Sequence, residues 1–211
     1  KWLGSMARET LSKIASNRSE ELAVAALDLF AEKNFASVTI KDIAKVAGIN
    51  AALIYYYYKS KEDLFCAAIG FAVNQAFEKF RDLQARHENP AIIIDNWLNN
   101  HVKLHAPIYK FIKVSLDYSS SETKIALIDN QIRAFYDEEK RILSDCISRG
   151  IEDGMFADVN AGALALFIST HLDGIMVRSV ILNDFNLNQA VDELRLKVFL
   201  ELKYRIKASD R

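Results

Sequence analysis

Ala44 and Gly48 stand four residues apart between two short segments with helical apolar spacing, and this pair restricts the fold more than any other feature of the chain. Two helices that cross steeply and closely need a small side chain at the crossing point, which Ala44 supplies. The sharp turn that follows needs a positive φ, which Gly48 adopts at no steric cost. Ile43, Val46, Ile49 and Ile54 are spaced to form a small core for the pair. Thr39 with Asp42 is a capping box that opens the first segment, Ile40 to about Val46. Asn50 caps the second, Ala51 to about Tyr57, and Ser60 with Asp63 opens a long helix from Lys61 to about Arg86. Upstream, a stripe at Leu22, Ala25, Ala26, Leu29 and Phe30 marks a helix from about Arg18, with Asn17 and Glu20 as its capping box and Asn34 just past its end. Residues 39–58 therefore spell a helix-turn-helix.

The remainder is helical in pattern too. Two prolines and seven glycines interrupt 211 residues that are half hydrophobic, and strand-like alternation is almost absent, so the expected class is all-α. Helices are expected at about 91–105, 107–118, 122–149, 159–182 and 188–207, with Pro107 breaking the first two apart and Gly150 and Gly154 bracketing a turn, which makes about nine in all. Residues 1–5, before Met6, read as an expression remnant, 6–62 as a three-helix DNA-binding domain and 63–211 as a larger helical domain. Residues 1–62 carry a net charge of +2 and the rest −3, an asymmetry that permits phosphate contact without announcing it. Cys66 and Cys146 read as buried free thiols. No apolar run is expected to span a bilayer, because His171, Asp173 and Arg178 interrupt 161–182, and the expected location is cytoplasmic with no membrane partner.

In a helix-turn-helix the second helix enters the major groove by its N-terminal end. Its exposed residues here would be Asn50, Ala51, Ala52, Tyr55 and Tyr56, with Tyr57 intermediate and Tyr58 in the core. The small side chains let the backbone approach the groove. A tyrosine hydroxyl can donate to phosphate while its ring meets a thymine methyl. Thr39, Lys41, Lys59 and Lys61 flank the helix and suit phosphate contacts, helped by the helix N-termini at 39–41 and 60–62. The stretches Ala25–Lys33, Thr39–Ile49 and Ile54–Phe65 closely resemble the DNA-binding domain of TetR/AcrR-family transcriptional regulators, over about residues 18–65. The resemblance implies a homodimeric repressor whose larger domain binds a small-molecule inducer, with Thr39, Asn50, Ala51, Ala52, Tyr55, Tyr56, Tyr57 and Lys61 at the DNA. Two departures reduce the polar contacts: Ala51-Ala52-Leu53 replaces the Lys-Gly-Thr type of sequence common in the family, and Ile40 occupies a position that is often polar.

The last two helices are apolar around much of their circumference, which fits either deep burial or a dimer interface; the interface residues expected are Leu166, Val177, Val191, Leu194, Val198 and Leu202. A dimer would set two recognition helices about 34–36 Å apart to read a palindromic operator. Phe71, Trp97, His101, His105, Tyr109, Phe111, Tyr118, Phe135, Tyr136, Phe167 and His171 are candidates for an apolar effector pocket with a few polar tips. His101 and His105 are spaced to share a helix face, but Val102 stands where a zinc protease needs Glu and no further ligand is assignable, so no metal and no cofactor is expected. Glu138, Glu139, Lys140 and Arg141 read as a solvated face, and no phosphate loop, nucleophile elbow or nucleophile–base pair argues for an enzyme. The sequence thus describes a DNA-binding transcriptional regulator, with the expected role of a repressor released from a palindromic operator by a small apolar or aromatic ligand. The alternative is a DNA-binding protein whose helical domain is a ligand carrier or enzyme module, or answers to a protein partner.

Overall fold

The computed structural model describes residues 2–86, 88–120 and 124–205, apart from the side chains of 2–17, 72, 75, 76, 79 and 107. Among the described residues the chain forms nine α-helices and no strand: α1 (Trp2–Lys33), α2 (Ile40–Val46), α3 (Ala51–Tyr57), α4 (Lys61–Ala85), α5 (Pro90–Lys103), α6 (His105–Ser119), α7 (Ala126–Glu152), α8 (Ala161–Ile181) and α9 (Leu187–Glu201). They group into two compact units. The first holds residues 1–74 and 113–132, the second 75–112 and 133–211, so the division falls inside α4, α6 and α7.

Local chemistry accounts for most helix ends. Thr39 and Asp42 close the expected capping box on α2, and the Asn50 side chain accepts from Ala52 N at the start of α3. Asn34 ends α1 with φ 70°, and Gly48 ends α2 with φ 65°. Gly48 N donates to Lys45 O and Ile49 N to Ala44 O, the paired bonds of a Schellman ending. Gly154 ends α7 in the same way through Ile151 O and Gly150 O, and so does Lys203 at φ 50°, which stops α9 at Glu201 rather than near 207. Two expected boundaries are corrected. No helix starts at Asn17, because α1 runs unbroken from Trp2; and the break between α5 and α6 falls at Leu104, with Pro107 in the first turn of α6, where its missing N–H costs no hydrogen bond.

In the first unit α1 buries Leu22, Ala23, Ala26, Leu27, Leu29 and Phe30 along one stripe. Ile40, Ile43 and Ala44 of α2 and Ile54 of α3 complete this core. Val46 does not join it and is 60% exposed, since the buried stripe of α2 follows positions 40, 43 and 44 and Val46 lies off that line. In the second unit α8 packs on α9 and α9 on α5. Arg195 of α9, only 14% exposed, fixes the second pairing by donating to Asp95 at 2.7 Å and to Asn99, both on α5. Cys66 and Cys146 are buried free thiols, one in each unit.

Candidate nucleic-acid interface

α3 carries its chemistry on one side. Ile54 is fully buried and Tyr58 is 9% exposed, its hydroxyl donating to Ser19 O at 2.8 Å. On the opposite side Tyr55 is 58% and Tyr56 78% exposed, while Tyr57 is half-buried with its ring packed edge-on against Tyr56 at 5.0 Å. Asn50 and Ala52 are exposed and Ala51 half-buried at the leading end. Helical rotation turns Tyr55 and Tyr56 away from the buried Ile54, while Tyr58, the extended C-cap of α3, reaches the core from beyond the helix.

The flanking residues are less free than their types suggest. Thr39 Oγ1 donates to Asp42 Oδ2 at 2.6 Å and accepts from Asp42 N at 3.2 Å, so its hydroxyl is committed to the cap. These bonds hold the Asp42 carboxyl below the usual carboxylate range. Asp42 also takes Thr39 N, and Asp63 takes Lys59 N at 2.9 Å. Both helix starts expected to attract phosphate therefore already hold a carboxylate. Lys41 and Lys59 are exposed. Lys61 is half-buried, its ammonium donating to Phe35 O at 2.9 Å and lying 4.3 Å from the Phe35 ring centroid. Ile40 is buried, so the apolar residue at this position completes the core of the head.

The expected pocket residues are not one set. Phe71 and Tyr118 belong to the first unit. Tyr118, 1% exposed, packs on Phe35 and Phe65, and its hydroxyl accepts from Ile125 N at 2.6 Å and donates to Ile125 O. In the second unit Trp97 stacks on Phe77 at 5.7 Å, Phe77 on Phe135 at 5.2 Å, and Phe135 meets Phe111 and Tyr136. The Trp97 indole N–H is buried without a partner among the described residues. His101 Nδ1 lies 2.9 Å from Trp97 O, and burial pulls its pKa down to about 4. His105 stacks on Tyr109 and its Nε2 lies 2.9 Å from Ser179 Oγ. Because the helix breaks between them at Leu104, the two histidines have separate partners. Phe167 and His171 face outward on α8.

The same unit corrects two further expectations. Glu139 is 3% exposed rather than solvated; it accepts from Ser169, while Glu138, Arg141 and Asp145 form the solvated ladder beside it. Val191, Leu194, Val198 and Leu202 are at most 1% exposed, so they are core and have no surface to offer a partner. Val177 is half-buried. Of the expected interface residues Leu166 is exposed, and the outward apolar side joins it with Phe167, Val180 and Ile181 of α8 and Leu196 and Leu200 of α9. Residues of both helices line common grooves here, one by Ala163, Phe167, Lys197 and Glu201, the other by His171, Gly174, Arg178, Glu193 and Lys197. α8 is also long and apolar enough, by length and composition, to cross a membrane, contrary to the expectation from its interrupting polar residues; its inner side is packed protein core. The regular stripe of α9 is covered within the chain itself, since periodicity reports a buried face without saying what buries it.

Residues 22–68 match the family described as bacterial regulatory proteins, tetR family. The chain is 25% identical to the transcriptional repressor KstR2 of Mycobacterium tuberculosis over 150 residues, 68% of this chain and 71% of that one. It is 40% identical to the regulator AcrR of Shigella flexneri over 60 residues, 28% of this chain and 27% of that one. The regulator FadR of Bacillus subtilis, solved with stearoyl-CoA, has the same fold at 18% identity, with a TM-score of 0.73 over 86% of this chain and 97% of its own. The family match covers the capped α2, the Gly48 turn and the α3 just described, and the fold match covers 86% of the chain. Residues 22–68 thus carry a DNA-binding domain of the tetR family of bacterial regulatory proteins, on a fold shared with solved regulators of that type.

Proposed function

We propose that this regulator is a cytoplasmic, homodimeric repressor, without a catalytic step of its own, that leaves a palindromic operator when a small apolar or aromatic ligand binds its larger helical region. The observation that carries the reading is the outward side of α3, where Tyr55 and Tyr56 are exposed while Ile54 beneath them is fully buried. Two large aromatic side chains held mostly in water add nothing to the core, and their position at a recognition helix suits phosphate and thymine contact. Lys41 and Lys59 add exposed cations on either side.

An effector site in the second unit is supported by the stacked Trp97, Phe77, Phe135 and Phe111, and by the unpartnered Trp97 N–H, a donor that a ligand acceptor would satisfy. FadR, bound to stearoyl-CoA in its own structure, supports a ligand with a large apolar part. α4 begins four residues after the end of α3, so a displacement carried along α4 would be passed to the recognition helix. Ligand and operator then oppose each other reciprocally. A second copy on the outward apolar side of α8 and α9 would place two heads on two half-sites.

The decisive experiment selects a binding duplex from random double-stranded DNA and measures its affinity for Tyr55→Ala and Tyr56→Ala. Each substitution is expected to weaken binding about tenfold, the loss of one or two contacts at about 1 kcal/mol each, with melting temperature unchanged. Unchanged affinity for both would remove α3 from the DNA.

A further inference from the structure

Phe35 sits in the loop between α1 and α2, four residues before the α2 cap, and side chains hold its backbone from both sides. Its N–H donates to Asp117 Oδ2 at 3.2 Å, and its C=O accepts from Lys61 Nζ at 2.9 Å. Its ring packs edge-on to Phe65 at 4.8 Å and to Tyr118 at 6.1 Å. Asp117 and Tyr118 come from the C-terminal end of α6, and Tyr118 fixes that end to Ile125 by two hydrogen bonds. The rest of the loop is braced locally, by Ser37 N on Asn34 Oδ1 at 2.9 Å. Asp117 is therefore a remote hold on a loop that leads directly into α2. It is exposed, so no burial or packing requirement explains an acid at this position.

We propose that Asp117 is a positioning residue for operator binding: from the end of α6 it holds the Phe35 peptide, and so sets how α2 and α3 are presented to DNA. It touches no DNA itself, and the inference rests on the reading that α3 meets DNA. Its electrostatic effect has the opposite sign. Removing a negative charge from a DNA-binding unit raises affinity if charge alone matters, whereas loosening the Phe35 peptide lowers it.

The test uses the full chain and the duplex selected by it. Asp117→Ala is expected to bind about five-fold more weakly, the loss that a hydrogen bond of about 1 kcal/mol gives. Amide exchange at Phe35 should accelerate in this variant, with the slope of log affinity against log salt unchanged. Asp117→Asn keeps an acceptor oxygen and is expected to restore most of the affinity and the protection. If the alanine variant melts below the assay temperature, Asp117→Glu, which keeps the charge but displaces the carboxylate, is expected to weaken binding in its place. Binding by Asp117→Ala that equals or exceeds the unaltered chain would overturn the proposal. So would a loss of affinity with Phe35 exchange unchanged. Failure to select any duplex would overturn the DNA-reading head itself, and the role of Asp117 with it.

Discussion

Glu139 accepts from Ser169 of α8, and on the same pair of helices Tyr136 donates to Asp173. No basic side chain bridges either carboxyl among the described residues, and burial, with Asp173 adding its charge, pushes Glu139 up to about 7; burial pushes Asp173 to about 6. In the folded chain both stay protonated at pH values where the unfolded chain has released them. Their stabilising contribution is thus complete below the ordinary carboxylate pKa and declines as pH rises through about 7. Thermal melts from pH 5 to 8 should show this decline, and Glu139→Gln should flatten it and raise the melting temperature at pH 8; a variant with the original slope would place the titration elsewhere. Gly150 makes a second demand at one position. A Cβ there would lie 2.2 Å from the Phe156 ring. Gly150→Ala is expected to destabilise the fold by about 1–3 kcal/mol in denaturant titrations, because a buried ring must move to admit it. Neither demand is legible in the sequence. Glu139 sits in a charged run that looks solvated, and Gly150 reads as half of a turn signal, because the ring and the α8 hydroxyl that decide both cases arrive from other elements.

At the scale of elements, signals within one turn of helix were readable, while signals that depend on a neighbour were not. Thr39, Asn50, Gly48 and Asn34 end their helices as their types dictate, since a cap or a positive φ is a local matter. The outward position of Tyr55 and Tyr56 was equally readable, because rotation about α3 fixes it once Ile54 is core. α9 shows the limit. Its regular stripe at Val191, Leu194 and Val198 is satisfied inside the chain, and its available apolar side is the less regular pair Leu196 and Leu200. α8 poses the complementary case at Gly174, whose added Cβ would meet nothing within 4 Å. In a lone chain Gly174→Ala should raise stability by up to about 1 kcal/mol through helix propensity. If a second copy crosses α8 at this point, the methyl intrudes on the crossing. Sedimentation should then show weaker self-association although denaturant titration of the dilute chain shows a firmer helix. Unchanged self-association would put the crossing elsewhere on α8.

For the whole molecule, pairing through the outward apolar side of α8 and α9, as proposed, would decide whether one head or two meet the operator. Leu196 and Leu200 are 70% and 78% exposed, so replacing them changes little within a single chain, by about 0.5 kcal/mol or less at an exposed site. Across a two-fold axis the same replacements act twice, because each residue meets its own symmetry partner's surface. Leu196→Glu with Leu200→Glu would set like charges in a desolvated contact, a cost that no rearrangement on one side can relieve. The variant is expected to sediment as a monomer with its helical circular dichroism retained. Its operator affinity should fall at least about 100-fold, since two linked heads exceed one head by 10²–10⁴ when both half-sites are reached. On a duplex carrying a single half-site the two proteins should bind alike. Loss on the half-site as well would mean damage to the head, whereas full affinity on the palindrome would mean that the paired heads are joined through some other surface.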